Sequence, residues 1–322
     1  MKIIGTGSAH PKQVVTNEML STFLDTNDEW IRTRTGIQER CVISSERLED
    51  LALEAMEKAL KSAKLTARDI DFIICSNVVN EYITPGLGCV LQGMLGAVCP
   101  TIDVNGACAG FIYALDIADA FFKSGRVKNV LVVAAEEPSR MMDWNDRSTC
   151  VLFGDGAGAV VLTEGDSFEA FSLSNTSKPE ALYQKHRLQY TPYVDKDEPD
   201  HAVIMNGQDV FKMAVKGSIR DLNRVMQQAA VTPDQVDHYL LHQANIRIID
   251  AIREYMKQGW DKFPHFIERY GNTSSSSIPM LLDELAREGK IKEGDRIAMS
   301  AFGAGFTTAA CLLTWTGIKY EE

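Results

Sequence analysis

The stretch LTARDIDFIICSN, residues 65–77, returns later in the chain as VTPDQVDHYLLHQ, residues 231–243. Thr66 lines up with Thr232 and Asp71 with Asp237, 166 residues apart, and in both copies a polar turn runs into a short apolar strand. Each copy follows a helical run. Leu48, Leu51, Ala52, Ala55 and Ala59 share one face of residues 46–64, and Phe211, Val215, Ile219, Leu222 and Met226 share one face ahead of the second copy. Two more pairings keep the same order. KSGRVKNVLVVAAEE (123–137) lies against REGKIKEGDRIAMSAFG (287–303), with Gly125 opposite Gly289, and AGAVVLT (157–163) answers TAACLLT (308–314). Three matches in one order imply an internal duplication. Strands alternate with helices, so each half is expected to be an α/β unit with a mostly parallel sheet, opened in the first half by the strand KIIGTGS (2–8). The halves are 1–164 and 165–322, joined through the polar, aperiodic segment 164–205.

Composition narrows the function classes. A chain of 322 residues with 45% hydrophobic and 24% charged residues has the makeup of a soluble globular protein. Its formal charge of −11 argues against general nucleic-acid binding and requires a local basic patch for any acidic partner. The start MKIIGTGSAHPKQVV has no secretory signal pattern, and no apolar run is long enough for a membrane helix. Seven scattered cysteines without a CxxC pair fit reduced thiols in a cytoplasm better than a disulfide frame or a zinc site.

One of those cysteines stands out. In DVNGACAGFIYAL (103–115), Cys108 sits among small residues just before a run in which Phe111, Leu115, Ala118 and Phe122 share a helical face. A thiol at a helix N-terminus meets free N–H groups and the positive dipole end, both of which favour thiolate. Nucleophile and small core cysteine are the two readings of this stretch alone. Shifting Cys108 by the offset of the Gly125–Gly289 match, 164, lands on Asn272 in RYGNTSSSSIPMLL, another small-residue turn opening a helix. His242 ends the strand HYLLH at the repeat counterpart of Ser76, where α/β sheets carry their sites. A polar group opposite a thiol is what nucleophilic catalysis needs.

Four segments, NGACAGFIYAL, LLHQANIRII, YGNTSSSSIP and SAFGAGFTTAA, closely resemble the motifs of β-ketoacyl-acyl carrier protein synthase III; TNDEWIRTRTGIQER (26–40) and DRSTCVLFGDGAGAVVL (146–162) match it too. The resemblance spans nearly the whole chain. It implies the thiolase fold, an internally duplicated five-layer αβαβα arrangement, and a homodimer. It implies Cys108 as nucleophile, with His242 and Asn272 beside it, Phe302, Gly303 and Gly305 as active-site support, and no bound cofactor or metal, since acyl-CoA is a substrate. It further implies Trp30, Arg34 and Arg147 as a CoA clamp, with Gly207 and Asn245 along the pantetheine arm. Lys212, Lys216, Arg247 and Arg253 are the basic residues expected near that mouth, facing malonyl-acyl carrier protein. Thr84 stands where family members often carry a Phe that caps the acyl pocket across the dimer interface. SSSS replaces SAAS-like residues and FTTAA replaces FTWGA, both mild departures.

The order Cys, His, Asn also describes papain-like proteases, but those are typically disulfide-bonded and lack an α/β duplication. Nearer rivals are a paralogue serving acyl transfer or secondary metabolism, and a non-catalytic partner subunit. Two glycine-rich stretches are decoys: GTGSAH (5–10) has His10 at the third glycine position of a dinucleotide fingerprint, and GDGAG (154–158) lacks the Lys-Ser/Thr of a phosphate loop.

Overall fold

The chain's first strand, β1 (Lys2–Ala9), lies along the helix that its two glycines make room for. A Cβ on Gly7 would stand 2.2 Å from the carbonyl oxygen of Ala55, so only glycine permits this approach. The computed structural model describes residues 1–185, 202–318 and 320. In chain order the first half contains β1, β2 (Gln13–Thr16), α1 (Asn17–Leu20), α2 (Asp28–Thr35), β3 (Glu39–Val42), α3 (Leu48–Ala63), β4 (Phe72–Ser76), α4 (Leu87–Leu95), β5 (Thr101–Val104), α5 (Gly110–Lys123), β6 (Asn129–Glu136) and β7 (Gly156–Thr163). The second contains β8 (Phe168–Asn175), β9 (Leu182–Tyr183), β10 (Ile204–Met205), α6 (Gly207–Gln228), β11 (His238–Leu241), α7 (Ile246–Met256), α8 (Ile267–Tyr270), α9 (Ser277–Arg287), β12 (Arg296–Gly303) and β13 (Thr307–Thr314). Strands β7 and β8 belong to different sheets, so the change from one sheet to the other falls between residues 163 and 168. Part of the expected joint, residues 186–201, lies outside the described residues.

The two main sheets repeat one topology. The first runs β1-β7-β6-β4-β5 and the second, read from the matching edge, β8-β13-β12-β11. The expectation of a mostly parallel sheet needs correction. Parallel pairs are β6–β4, β4–β5 and β11–β12, while β1–β7, β7–β6, β12–β13 and β13–β8 are antiparallel. For β12 and β13 the reason is connection length. Only Ala304–Phe306 joins β12 to β13, and a parallel return needs a crossover of about a dozen residues or more.

Five layers result. Helices α5 and α9 fill the space between the sheets, where Phe111, Leu115, Leu281 and Leu285 pack with Val132, Leu162, Met299 and Leu313. Helix α3 covers the outer face of the first sheet with Leu51, Ala55 and Ala59, and α6 and α7 cover the second with Leu222, Val225 and Ile249. The apolar faces seen in sequence pack on these cores, with Phe122, Phe211, Val215 and Ile219 half-buried at their margins. Among the described residues no helix is long and apolar enough to cross a membrane, and no group of three or more His, Cys, Asp or Glu residues is placed to hold a metal ion.

Candidate active site

The duplication brings two similar turns face to face. A 3₁₀ turn at Ala107–Ala109 leads into α5, and one at Ser274–Ser276 leads into α9. The first non-glycine residue of each turn is left-handed, Ala107 with φ 47° and Ser274 with φ 55°. Before each turn an asparagine side chain accepts a backbone N–H two residues on: Asn105 from Ala107 at 3.2 Å, Asn272 from Ser274 at 2.9 Å. The structural partner of Asn272 is therefore Asn105, and that of Cys108 is Ser275. The offset of 164 read from the Gly125–Gly289 match is corrected to 167 here, because loop lengths between repeats differ.

Cys108, His242 and Asn272 all line one cavity of about 720 Å³, together with Phe302, Gly303, Gly305, Gly207 and Asn245. The sequence placed all of these at the site. Glycines at the end of β12 and the start of α5 let the thiol turn pack tightly: a Cβ on Gly303 would stand 2.6 Å from the Cys108 nitrogen, and one on Gly110 would stand 2.2 Å from Ser76 Oγ. The backbone around Gly303 thus lies against the Cys108 N–H.

The state of the thiol differs from expectation. Burial pushes Cys108 up to about 12, the nearby Glu136 carboxylate acts in the same direction, and only the Ser274 hydroxyl and its own backbone N–H oppose them. Desolvation outweighs the helix N-terminus here, so the resting group is a thiol, not a thiolate. The Ser274 hydroxyl lies 3.3 Å from the sulfur.

His242 is 2% exposed, and burial pulls it down to about 3, so it is neutral through the physiological range. Its tautomer follows from its neighbours. Ser277 Oγ accepts the Gln243 N–H at 3.3 Å and lies 2.8 Å from His242 Nδ1. The Ser277 hydroxyl can donate its proton to Nδ1, and in that tautomer the ring proton is on Nε2. Among the described residues Nε2 is buried without a partner, and in that tautomer it is an N–H facing the cavity. Asn272 is arranged alike: its Oδ1 is taken by the Ser274 N–H, which leaves its NH₂ to the cavity. Phe302 packs edge-on to His242, with ring centroids 5.2 Å apart.

This neutral histidine makes stability pH-dependent. The unfolded chain binds a proton near the ordinary value of 6.5, whereas the folded chain binds it only near 3. The stabilisation is present above 6.5 and is lost as pH falls towards 3. From pH 7 to pH 5 the wild type is expected to lose about 2 kcal/mol more unfolding free energy than a His242→Gln variant. Urea unfolding of both proteins at the two pH values reads the difference.

Support from further away holds Asn272. Arg40 is fully buried with no carboxylate partner among the described residues; it donates to the Val15 carbonyl at 3.0 Å, to Asn17 Oδ1 at 2.9 Å and to the Val151 carbonyl at 2.8 Å. The next residue, Leu152, accepts the Asn272 N–H at 2.8 Å, so Arg40 anchors the segment that carries the carboxamide. Sequence gave no sign of Arg40, Ser277 or Glu136, because each acts through a partner far along the chain.

Trp30, Arg34 and Arg147 do come together. The Arg34 guanidinium stacks 4.5 Å from the Trp30 ring centre and that of Arg147 lies 5.3 Å from it, with Arg147 also paired to Asp25 at 3.2 Å. Asn245 ties this cluster to the cavity wall. Its Nδ2 donates to the Arg34 carbonyl at 3.0 Å, while its Oδ1 caps α7 by accepting the Arg247 N–H at 2.9 Å. The four expected docking cations separate. Lys212, Lys216 and Arg247 are exposed and form no ion pair among the described residues. Arg253 is corrected to a structural role: it pairs with Asp250 at 2.6 Å, reaches the Gln258 carbonyl at 3.2 Å and covers Trp260 at 4.9 Å. Thr84 is exposed on the loop before α4 and lies outside the cavity of its own chain, as a residue that caps a pocket across a dimer interface must.

Comparison with known proteins gives one answer. Residues 102–178 match the family 3-oxoacyl-[acyl-carrier-protein (ACP)] synthase III, and residues 226–315 match its C-terminal counterpart. The chain is 44% identical over 319 residues to the β-ketoacyl-[acyl-carrier-protein] synthase III of Oceanobacillus iheyensis, covering 97% of this chain and 98% of that one. The crystal structure of 3-oxoacyl-[acyl-carrier-protein] synthase III from Aquifex aeolicus superimposes with a TM-score of 0.91 at 42% identity, covering 98% of this chain and 99% of the other. The priming β-ketosynthase of the R1128 polyketide pathway superimposes with a TM-score of 0.92 at 32% identity, covering 99% and 97%.

Proposed function

The chain belongs to the β-ketoacyl-[acyl-carrier-protein] synthase III family, and on that premise we propose that Cys108 takes an acyl group from acyl-CoA and that malonyl-acyl carrier protein is then condensed with it, initiating type II fatty-acid synthesis. The observation that carries this reading is one cavity walled by a sulfur, an imidazole N–H and a carboxamide NH₂ drawn from separate parts of the chain.

The chemistry follows from those groups. Cys108 sulfur attacks the thioester carbonyl, CoA leaves, and an acyl-enzyme remains. The developing oxyanion is met by the Cys108 N–H and an N–H of the Gly303–Gly305 loop, donors that need no reorganisation. Malonyl carrier protein enters next. Loss of CO2 leaves an enolate whose oxygen is held by His242 Nε2–H and the Asn272 NH₂. The enolate carbon attacks the acyl thioester, and Cys108 leaves. Two neutral donors suffice because decarboxylation, not proton abstraction, generates the nucleophile. Phe302 gives the malonyl carboxylate an apolar wall that disfavours its charged form.

Around this core, Trp30, Arg34 and Arg147 hold the nucleotide end of CoA, the base entering the stack that the guanidiniums now cover, and Gly207 and Asn245 border the pantetheine arm. No bound cofactor or metal is needed, and free thiols throughout suit a cytoplasmic protein. A second copy of this chain completes the assembly. Among the described residues no strand pairs with the outer edge of β5; Ile102 within it is 44% exposed, and Val98 and Ile83 are 83% and 80% exposed. Thr84 next to Ile83 then faces the partner's acyl pocket, where a small residue leaves room for a longer or branched primer.

Lys212, Lys216 and Arg247 form the docking face for the acidic carrier protein. Reversing Arg247 to Glu is expected to raise the KM for malonyl carrier protein about tenfold while acyl loading from CoA stays within twofold. Equal loss in both steps removes the docking role. The reading as a whole is tested by following CO2 and β-ketoacyl carrier protein from acyl-CoA primers of graded length. Acylation of Cys108 without CO2 selects an acyl transferase, and no acylation selects a non-catalytic subunit.

A further inference from the structure

The mechanism above leaves one proton unplaced. Cys108 rests as a thiol, and the imidazole beside it is too weak a base to take its proton. Among the described residues the only side-chain hydroxyl on the sulfur is Ser274, whose Oγ lies 3.3 Å from Cys108 Sγ and 3.3 Å from Glu136 Oε1. Glu136 ends β6 and is 1% exposed. The groups facing it come from every element around it. Ser275 donates to Oε1 at 2.6 Å, Ser76 donates to Ser275 at 2.9 Å, and the Val78 N–H donates to Oε2 at 3.2 Å. No cation pairs with it among the described residues; the neighbouring titratable groups are the thiols of Cys108 and Cys75, with Asp103 beyond Cys75. Ser275 is the twofold counterpart of the nucleophile itself, and it is one of the hydroxyls that SSSS supplies.

We propose that Glu136, acting through Ser274, receives the Cys108 proton when the acyl group is loaded and returns it when condensation is complete. The inference rests on the thioester chemistry proposed above. In loading, the Cys108 S–H bond breaks and Ser274 Oγ takes that proton while passing its own to Glu136 Oε1. The freed sulfur pair forms the S–C bond, the C–S bond to CoA breaks, and the CoA thiolate leaves with its electron pair and takes a proton from solvent. While the acyl-enzyme exists Glu136 is neutral, which suits a carboxyl that burial already pushes up to about 7. In condensation the Cys108 thiolate leaves, and the same two protons shift back. One solvent proton is consumed per turnover, as decarboxylation of a malonyl anion requires. Ser274 touches the reacting sulfur; Glu136 is a positioning group that works through it.

The test reads thiol reactivity without substrate. Wild type, Glu136→Gln and Ser274→Ala are alkylated with iodoacetamide across pH 6 to 10, and modification of Cys108 is followed by peptide mass. The two explanations of Glu136 differ in sign. A carboxylate that only repels the thiolate makes Glu136→Gln more reactive at pH 7. A proton acceptor makes it about tenfold less reactive, and Ser274→Ala falls equally, with no further loss in the double variant. Alanine suits position 274, since Ala107 holds the same left-handed backbone in the matching turn. A rise for Glu136→Gln, or an unchanged Ser274→Ala, overturns the proposal. If Glu136→Gln yields no folded protein, Ser274→Ala decides alone. Acyl loading of the wild type, measured beside these, keeps failure of the relay distinct from failure of the thioester reading.

Discussion

Replacing Cys108 with alanine is expected to abolish acyl loading from acyl-CoA and to lower β-ketoacyl carrier protein formation by at least about 10⁴-fold. No other cysteine can substitute. Cys41, Cys75, Cys99, Cys150 and Cys311 are buried in packed cores, and Cys89, though exposed, is absent from the cavity wall. The fold should survive the change. The sulfur has one hydroxyl contact, to Ser274, and Ser274 keeps its contact with Glu136 when the sulfur is gone. Intact mass after incubation with acyl-CoA checks the first expectation, and thermal unfolding checks the second. An alanine variant that still acquires an acyl group would place the nucleophile elsewhere.

The second large effect separates the two half-reactions. Changing His242 or Asn272 to alanine removes a donor that meets charge only when the malonyl group decarboxylates. Each is expected to slow CO2 release by about 10²- to 10³-fold while acyl loading changes by less than tenfold. Because burial keeps His242 neutral down to about pH 3, its loss should cost the same factor at pH 6 and pH 8. A cost that grows with falling pH would mean that imidazolium is the working form. The two substitutions act on one oxygen, so the double variant should lose less than the product of the single losses. Loading and CO2 release, timed separately on each variant, supply the comparison.

Much of this architecture was readable in the chain. The echo of residues 65–77 at 231–243 became β4 and β11, and His242 does follow the end of its strand at the site. Periodic apolar residues identified α3 and α6 because one face of each is buried and the other is wet. What escaped the reading has physical causes. Strand direction depends on how many residues separate β12 from β13, not on the strands themselves. The register between the active-site turns shifted by three residues, since loops absorb insertions that buried helices cannot. The resting thiol state was missed because proximity to a helix end is visible in sequence, whereas the depth of burial that outweighs it is not. Arg253 looked free for docking only until Asp250 and Trp260 were seen around it. Glu136 stayed hidden as the end of an apolar strand, its partners Ser274 and Ser275 lying 138 and 139 residues away.

A single-turnover experiment on pre-acylated enzyme tests the central claim most directly. Protein loaded from acyl-CoA is freed of nucleotide, mixed with malonyl carrier protein, and sampled for acyl mass on the Cys108 peptide, for CO2 and for product. The account predicts one acyl group on Cys108, lost at the same rate as CO2 and β-ketoacyl carrier protein appear. Acyl mass on another residue, or CO2 release that leaves the Cys108 thioester intact, would contradict it.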